Sequence, residues 1–521
     1  MEVSRAPATC RRSRHLSNRP ADPARDKTLS LSAPSSFTPA ERPSASPPET
    51  PAPTGASGET ATAPGSGSVS GGFGRLIDGF RERLDREIAA FLAEKRSSAG
   101  GTGGAGEGPG ASWRQATLAD PGDLVDGVAR LMAQGGKRLR PALVYHTYRA
   151  CGGRSESQVM PLALATEFLH TYLLIHDDIM DHAEVRRGQP AAHARFRDLH
   201  RAGGLRGDAD DFGRSVAILL GDLAHTYAVE LFTGVAVRPD PATPATPAGP
   251  SVPSALPAPP APSASAPLAQ PVPPAPSASA PSIPHWLELN RCFSQMCEEV
   301  IGGQYLEFLL AHRGHPAPAS APEPTPAQAV RESELLRVLR LKSGRYTAER
   351  PIQLGALLAG APAELREELS RYGTAVGEAF QLQDDLLGLF GDPATVGKPV
   401  GDDLREGKFT LLIHHALVKG GAADRQLVAG ALGDPNLTAA EVARVQAALE
   451  RTGARRAVTA MIAERLGEAR RALETLAPLL APLAPLAPEE LPDDPDAGAS
   501  AASEGLRFLS GLLDFLWERE Q

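Results

Sequence analysis

The sequence predicts an all-α fold. Seven segments place their apolar side chains three and four residues apart, which is the spacing of an amphipathic helix. The alternating pattern of a half-buried strand, bounded by Asn-Gly or Asp-Gly turns, is not found. The predicted helices cover residues 73–95, 158–182, 213–236, 285–311, 332–358, 362–390 and 453–478.

The seven segments differ in character along the chain. The first carries a regular apolar stripe that runs from Phe73 to Phe91. The second and third are long and strongly apolar, and the second ends in several acidic residues. The later segments keep the helical period, and the one at 362–390 also ends in acids. Two apolar helices that end in carboxylates are therefore the first place to look for a functional site.

Three low-complexity stretches separate these helices. Residues 1–72 are rich in Ser, Pro, Ala and Thr, residues 97–112 are rich in Gly and Ser, and residues 238–284 contain 17 prolines. Such segments bury too little apolar surface to offset the entropy of ordering, so we expect disorder. A semi-rigid linker between two domains is one interpretation of residues 238–284. We favour a long loop within one domain of residues 73–521, because motifs on both sides of it complement each other.

Composition excludes several classes of protein. A net charge of −9 argues against a protein that binds nucleic acid along its surface. There is no uninterrupted run of about 18 apolar residues, so no transmembrane segment is predicted. Four cysteines without a CxxC pair indicate neither a zinc ribbon nor a disulfide framework. A reducing, cytoplasmic location is the simplest expectation.

Lysine is rare and selectively placed. Only seven of the 53 basic residues are lysines, and five of these lie next to or near a glycine, four of them in the blocks GGKRLRP, LKSGR, VGKPV and EGKFT. Glycine permits tight turns and close approach, so this pattern suits ammonium groups that are presented to phosphates. Chance placement is the alternative. The four are Lys137, Lys342, Lys398 and Lys408.

The first acidic cluster closes the helix predicted at 158–182. Asp177 and Asp181 are four residues apart and share a helix face, with Asp178 beside them. Carboxylates so placed repel unless a cation lies between them, and they suit Mg²⁺ with substrate phosphates and water. A solvated acidic helix end is the alternative, although acids at a helix C-terminus oppose the helix dipole. Arg186 and Arg187 follow as a candidate phosphate clamp.

The second acidic cluster closes the helix predicted at 362–390. Asp384 and Asp385 are followed by Lys398 and Lys408. Two aspartate pairs on apolar helices, each followed by basic residues, predict a cavity where carboxylates face one another, bridged by Mg²⁺ to a diphosphate. A zinc site at His170, His176, His182 and His193 is disfavoured, because their spacing does not bring three to one helix face.

These motifs resemble one known family. The segments GGKRLRP, FLHTYLLIHDDIMDHAEVRRGQPAAH, LKSGRYTAERPIQLGALLAG and FQLQDDLLGLFGDPATVGKPVGDDLREGKFT are similar, in order, to the trans-isoprenyl diphosphate synthases of the polyprenyl synthetase family, over roughly residues 115–420. The resemblance implies a helical bundle around a central cavity, usually as a homodimer. It also implies Mg²⁺-dependent 1′-4 condensation of isopentenyl diphosphate with an allylic diphosphate, through an allylic carbocation, with the departing diphosphate as the base.

The resemblance also implies roles for individual residues. The expected metal ligands are Asp177, Asp181 and Asp384, and the catalytic set adds Asp178, Asp385 and Lys342. The allylic diphosphate would contact Arg186, Lys342, Ser343 and Lys398, with Lys408 nearby, and Gln381 would lie close to the reacting centre. The pocket for isopentenyl diphosphate would be formed by Lys137, Arg140, His170 and Arg187. One departure is Gly388, which stands where many members carry a third aspartate.

Product length in this family is set by bulk below the first acidic motif. Residues 172 and 173, five and four positions before Asp177, are Tyr and Leu. Tyr172 would project into the channel for the growing tail about a turn and a half below the metals. One aromatic with a short motif resembles geranylgeranyl diphosphate synthases, so a C20 product is expected. The alternative products are farnesyl diphosphate and chains longer than C20. The alternative for Tyr172 is ordinary core packing.

Two other classes share parts of this pattern. A class I terpene cyclase also uses an aspartate-rich motif and Mg²⁺, but it has no need for the block at Lys137 and Arg140. A non-catalytic subunit of a heteromeric synthase would be expected to lose motif aspartates, and all five are present. The enzyme and the non-catalytic subunit predict opposite results for Asp177→Ala: the enzyme would lose its activity, and the non-catalytic subunit would be unaffected.

Overall fold

The computed structural model describes residues 71–99, 120–235, 283–314, 330–391, 400–483 and 501–518. These residues are almost entirely helical, so the all-α prediction is confirmed. The first predicted low-complexity stretch lies outside the described residues up to residue 70, as do most of the second and nearly all of the third. Two helices extend slightly into these stretches, because α1 ends at Ser98 and α7 begins at Ile283.

The helices follow one another with short connections. They are α1 (Gly71–Ser98), α2 (Gly122–Ala133), α3 (Leu139–Ala150), α4 (Glu156–Met180), α5 (Ala192–Ala202), α6 (Ala209–Gly234), α7 (Ile283–Gly314), α8 (Glu332–Val338), a π-helix (Leu339–Glu349), α9 (Arg350–Leu358), α10 (Ala363–Phe390), α11 (Asp402–Arg405), α12 (Leu411–Lys419), α13 (Ala422–Ala431), α14 (Ala439–Arg451), α15 (Ala454–Leu480), a 3₁₀ turn (Ala481–Leu483) and α16 (Ala501–Glu518). Between α4 and α5 a small hairpin pairs β1 (Val185–Arg186) with β2 (Gln189–Pro190).

The core is centred on α4 and α10. Helix α4 packs against α3 and α6, and α10 packs against α15 and the π-helix. Two glycines allow α10 to approach the π-helix closely, because a Cβ atom on Gly377 would overlap the backbone of Gly344 in the π-helix. These close approaches bring the C-terminal ends of both acidic helices towards one cavity.

The segment predicted as one helix at 332–358 is interrupted. It consists of α8, the π-helix and α9. The wider π turn changes the direction of the side chains that follow it, and such turns are frequent at functional sites. Lys342 and Ser343 lie within this turn and both reach the cavity wall.

Several short elements were not expected from the sequence. Helix α3 is buried on most sides and so shows no amphipathic period, which hides it from a pattern search. The terminal helix α16 is also central, since Phe508 is fully buried and the Tyr372 hydroxyl donates to the Leu509 carbonyl at 2.6 Å. The hairpin at 185–190 is the one exception to the helical prediction among the described residues.

Two helices, α4 and α6, are long and apolar enough by composition to cross a membrane. In α4 the most apolar window is 72% buried inside the fold, whereas in α6 the corresponding share is 44%. The two helices pack against each other. Burial of this kind is what the core helices of a bundle show.

Candidate active site

A cavity of about 870 Å³ opens between α3, α4, α7, the π-helix and α10. It brings together motifs that are more than 200 residues apart in sequence, from both sides of the proline-rich stretch. The predicted site residues that line it are Lys137, Arg140, His170, Tyr172, Leu173, Asp177, Arg186, Arg187, Lys342, Ser343, Gln381, Asp384, Asp385 and Lys408. Lys398 lies outside the described residues.

Asp177 is surrounded by groups from two other elements. The Lys342 Nζ lies 3.5 Å from its Oδ1, and the Gln304 amide donates to the same oxygen at 2.9 Å. Lys342 also pairs with Glu307. Burial opposes the charge on Lys342, but the carboxylates of Glu307 and Asp177 raise the pKa of this lysine. The lysine is therefore held fully protonated beside the first acidic motif.

Gln304 and Glu307 were missed by the sequence analysis. Both lie on α7, the helix that follows the proline-rich stretch, among several other polar residues of that helix. Their only sequence signal is the spacing of three, which puts both on one face of the helix. Such a pair carries no specific pattern of its own, so contact with Asp177 and Lys342 was needed to identify it.

Asp181 and Asp178 point in different directions. Asp181 Oδ2 lies 3.7 Å from Lys408 Nζ, whereas Asp178 is buried and accepts a hydrogen bond from Arg186 Nε at 2.8 Å. Burial and the neighbouring Asp177 raise the pKa of Asp181 to about 7. One residue of helix turns a side chain by about 100°, which explains why Asp178 does not join the face of Asp177 and Asp181.

The second acidic motif is less well compensated. The Gln381 amide donates to Asp385 Oδ1 at 2.7 Å, and Asp384 lines the same side of the cavity. Burial and the nearby carboxylate of Asp403 raise the pKa of Asp385 to about 8. Lys408 lies 3.5 Å from Asp403 Oδ1.

A second set of basic residues lines the same cavity. Arg140 donates to His170 Nε2 at 3.2 Å and to Thr347 Oγ1 at 2.9 Å, and its guanidinium lies 4.6 Å from the ring centre of Tyr346. Burial and Arg140 lower the pKa of His170 well below its usual value. Since an arginine only donates, His170 Nε2 is an acceptor, and its Nδ1–H donates to the Tyr346 hydroxyl oxygen at 3.2 Å.

The glycine-rich turn before α3 is held in place by ion pairs of Arg138 with α1 and α4. Arg138, which has a left-handed backbone with φ of 50°, is buried and pairs with Glu167 at 2.5 Å and Asp85 at 3.0 Å. Lys137 extends towards α16, where its Nζ lies 5.0 Å from the centre of the Phe515 ring. Arg187 donates to the Gly135 carbonyl. Arg138, Lys137 and Arg187 therefore lie together in the wall of the cavity.

The chain matches the family model described as Polyprenyl synthetase over residues 123–249 and 273–450, which is more than half of its length. It belongs to the polyprenyl synthetase family. The chain is a trans-prenyltransferase by this membership, and the two matched stretches lie on either side of residues 250–272.

Relatives of this polyprenyl synthetase make products of different lengths. The chain is 30% identical to a geranylgeranyl diphosphate synthase of Methanosarcina mazei over 58% of its length and 69% of that relative. It is also 30% identical to a (2E,6E)-farnesyl diphosphate synthase of Mycobacterium bovis, over 62% of its length and 68% of the relative. A geranylgeranyl pyrophosphate synthase of Corynebacterium glutamicum, solved with isoprenyl diphosphate and magnesium, superposes with a TM-score of 0.60 at 26% identity. That match covers 83% of this chain and 99% of the other.

The carboxylates of the cavity fit a magnesium site that is completed by substrate. Among the described residues, no three His, Cys, Asp or Glu side chains stand together as a ready-made metal site. Mg²⁺ usually keeps several waters and takes only one or two carboxylates plus phosphate oxygens. Burial and neighbouring carboxylates raise the pKa of Asp181 and of Asp385, so the cations of the described residues do not fully offset the negative charge there. A cation that enters with a diphosphate would provide that offset.

Tyr172 lies in the cavity wall below the first acidic motif. Its ring makes an edge contact with His176 at 4.7 Å and packs against His225 of α6 at 5.0 Å between ring centres. Leu173 lines the same wall. The aromatic side chain is therefore held between two helices and has little freedom to swing aside.

Proposed function

We propose that this prenyltransferase condenses isopentenyl diphosphate with allylic diphosphates to form geranylgeranyl diphosphate. The observation that carries the proposal is the cavity itself. It has carboxylates and cations from both acidic motifs at one end, a cluster of basic residues beside them, and an aromatic wall at Tyr172. Farnesyl diphosphate and longer products remain the alternatives, because relatives of similar identity differ in product.

The allylic diphosphate would bind between α4 and α10. Lys342 and Lys408 each lie within 4 Å of a carboxylate of the first motif, so they present positive charge to phosphate oxygens at the same place. Asp177, Asp181 and Asp384 would hold Mg²⁺, which acts as a Lewis acid that stabilises the leaving diphosphate. Positive side chains placed where negative charge develops contribute to catalysis without reorganising during the step.

Isopentenyl diphosphate would bind at the basic end of the cavity. Lys137, Arg140 and Arg187 are gathered there by contacts within the protein. His170 is neutral, and both of its ring nitrogens are already engaged by Arg140 and Tyr346. It therefore orients its neighbours and does not take up the proton that is lost after carbon–carbon bond formation. We propose that the departing diphosphate accepts that proton.

The assembly and location of the enzyme are also proposals. Exposed apolar side chains lie on α6 (Ile218, Leu219 and Val229) and on α7 (Leu287, Ile301 and Tyr305). Exposed apolar surface of this kind marks interaction sites, so we propose a homodimer. We separately propose that the enzyme acts in the cytoplasm. We also propose one catalytic domain into which residues 238–284 are inserted. Light scattering after size exclusion would give the mass, and a monomer at micromolar concentration would contradict the dimer.

Product analysis tests the proposed activity. Purified protein is incubated with Mg²⁺, isopentenyl diphosphate and each of dimethylallyl, geranyl and farnesyl diphosphate, and the products are separated by chain length. A C20 product from all three primers is expected. A C15 end product, or one of C30 and longer, would overturn the geranylgeranyl assignment but keep the reaction. No product from any primer would instead favour a non-catalytic subunit.

A further inference from the structure

Two arginines at the start of α3 are held in different ways. Arg138 is buried and pairs with two carboxylates. Arg140 contacts a neutral imidazole, a hydroxyl group and an aromatic ring, which belong to His170, Thr347 and Tyr346. Neutral contacts fix the direction of a guanidinium without cancelling its charge, so the charge of Arg140 stays available for an anionic ligand. The charge of Arg138 is used within the fold.

Thr347 makes one of these contacts from outside the lining of the cavity. Its hydroxyl oxygen accepts a hydrogen bond from Arg140 Nη2 at 2.9 Å, and the residue is only 1% exposed. Arg140, His170 and Tyr346 line the cavity, and Thr347 is buried next to them. A side chain in that place acts on a ligand through Arg140 and does not touch the ligand itself.

The π-helix that carries Thr347 is held by close backbone contacts on two sides. A Cβ atom on Gly303 of α7 would lie 2.4 Å from the backbone nitrogen of Lys342. A Cβ atom on Gly377 of α10 would lie 2.1 Å from the carbonyl oxygen of Gly344. Both contacts are with the main chain of the π-helix, which has little room to shift in a close-packed interior. The packing of α7 and α10 therefore fixes where the Thr347 hydroxyl lies.

We propose that Thr347 is a positioning residue for the isopentenyl diphosphate pocket, because its hydroxyl fixes the guanidinium of Arg140 for the incoming diphosphate. The π-helix then serves both substrates. Its N-terminal half presents Lys342 and Ser343 to the allylic diphosphate, and its C-terminal half holds Arg140 in place through Thr347. The inference rests on the role proposed above for Arg140. Without the hydroxyl, one donor of Arg140 loses its acceptor and the guanidinium is free to turn away.

Thr347→Val in the full-length chain tests the proposal, because valine keeps the shape of threonine and removes its hydroxyl. Thr347→Ser, which restores a hydroxyl, is the rescue variant. Thr166→Val is the matched control, since Thr166 is also fully buried and its hydroxyl donates to the Leu162 carbonyl within α4 at 2.9 Å. The quantities measured are kcat, the KM for each of the two substrates, and the Kd of isopentenyl diphosphate by calorimetry.

Thr347→Val is expected to raise the KM and the Kd for isopentenyl diphosphate by about tenfold, which is the size of effect that a lost hydrogen bond to a charged group produces. The KM for the allylic diphosphate should be unchanged. Thr347→Ser should recover most of the affinity, and Thr166→Val should bind like the wild type. In an Arg140→Ala background, Thr347→Val should cause no further loss of kcat/KM for isopentenyl diphosphate, because the hydroxyl acts through Arg140.

An unchanged Kd in Thr347→Val, equal increases in both KM values, no rescue by serine, or a further loss in the Arg140→Ala background would overturn the proposal. If Thr347→Val does not fold, Thr347→Ala takes its place with the same expected result. Failure of the proposed activity is distinguishable, because a wild type that forms no product would still report on Thr347 through the Kd of isopentenyl diphosphate. Wild-type protein that does not bind isopentenyl diphosphate would overturn both.

Discussion

The ends of α4 and α10 carry similar aspartate motifs in different electrostatic surroundings. On α4 each aspartate has a cationic partner from elsewhere: Asp177 has Lys342, Asp178 has Arg186 and Asp181 has Lys408. On α10, Asp385 accepts a hydrogen bond from the neutral amide of Gln381, and the carboxylate of Asp403 adds to the burial that raises its pKa.

This difference suggests a division of labour between the helices. The first motif is assembled by the protein's own cations before any substrate arrives, so its geometry is fixed by the fold. Asp385 of the second motif pairs with no cation among the described residues, and burial with the carboxylate of Asp403 raises its pKa to about 8, against about 7 for Asp181. The end of α10 is therefore expected to respond to a bound cation more strongly than the end of α4.

The largest effect is expected from Asp177→Asn. This change removes a proposed metal ligand and the partner of Lys342 while it preserves the shape of the side chain. Loss of an electrostatic contact at the reacting diphosphate should lower kcat by about 1,000-fold. Steady-state rates with farnesyl diphosphate measure the effect, and Asp211→Asn on the exposed start of α6 is the control. A decrease of less than tenfold would contradict the role of Asp177.

Asp178→Asn should act mainly on stability, because its partner Arg186 is largely buried and would lose its nearer counter-charge, leaving only Asp177 at 4.0 Å. Breaking a buried ion pair on one side costs about 3 kcal/mol in the free energy of unfolding. Urea titration followed by circular dichroism measures this loss. Unchanged stability with a complete loss of activity would show instead that Asp178 acts directly in the site.

Asp385→Asn is expected to stabilise the ligand-free protein at alkaline pH. The pKa of Asp385 is raised to about 8 in the folded state, above the ordinary value of 3.8, so wild-type stability falls as the pH rises from about 4 to about 8. The asparagine variant lacks this loss, so its free energy of unfolding at pH 9 should exceed that of the wild type by about 1 kcal/mol or more. Equal slopes of stability against pH in both proteins would contradict the uncompensated charge on α10.

Tyr172→Ala should change the product and leave the chemistry intact. The substitution opens the wall below α4, so the tail can grow by at least one C5 unit before it is blocked. Chromatography of the products measures the shift, and Leu173→Ala shows whether the neighbouring side chain contributes as well. An unchanged product length would assign Tyr172 to core packing alone.

The sequence predicted the long helices and the convergence of their ends well, because both depend on regular patterns. It placed Asp177, Asp384 and Lys342 at one cavity through motifs that are distinctive in composition and spacing. It did not predict the π-helix, whose Gly344 lies against Gly377 of α10, or the hydrogen bond from Arg186 to Asp178.

Residues that act through single contacts were also beyond prediction. Gln304, Glu307 and Asp403 belong to no repeated pattern, and each is identified only by the side chain that it meets in space.

The central claim is that both acidic helices hold the same diphosphate through a shared cation. Calorimetry with a thio analogue of farnesyl diphosphate, whose carbon–sulfur bond does not ionise, measures binding in wild type, Asp177→Asn, Asp384→Asn and the double variant. We expect tight binding only with Mg²⁺, a loss of about tenfold or more in each single variant, and a double variant that is far less than additive. Independent, additive losses, or wild-type affinity for Asp384→Asn, would contradict a diphosphate shared by the two helices.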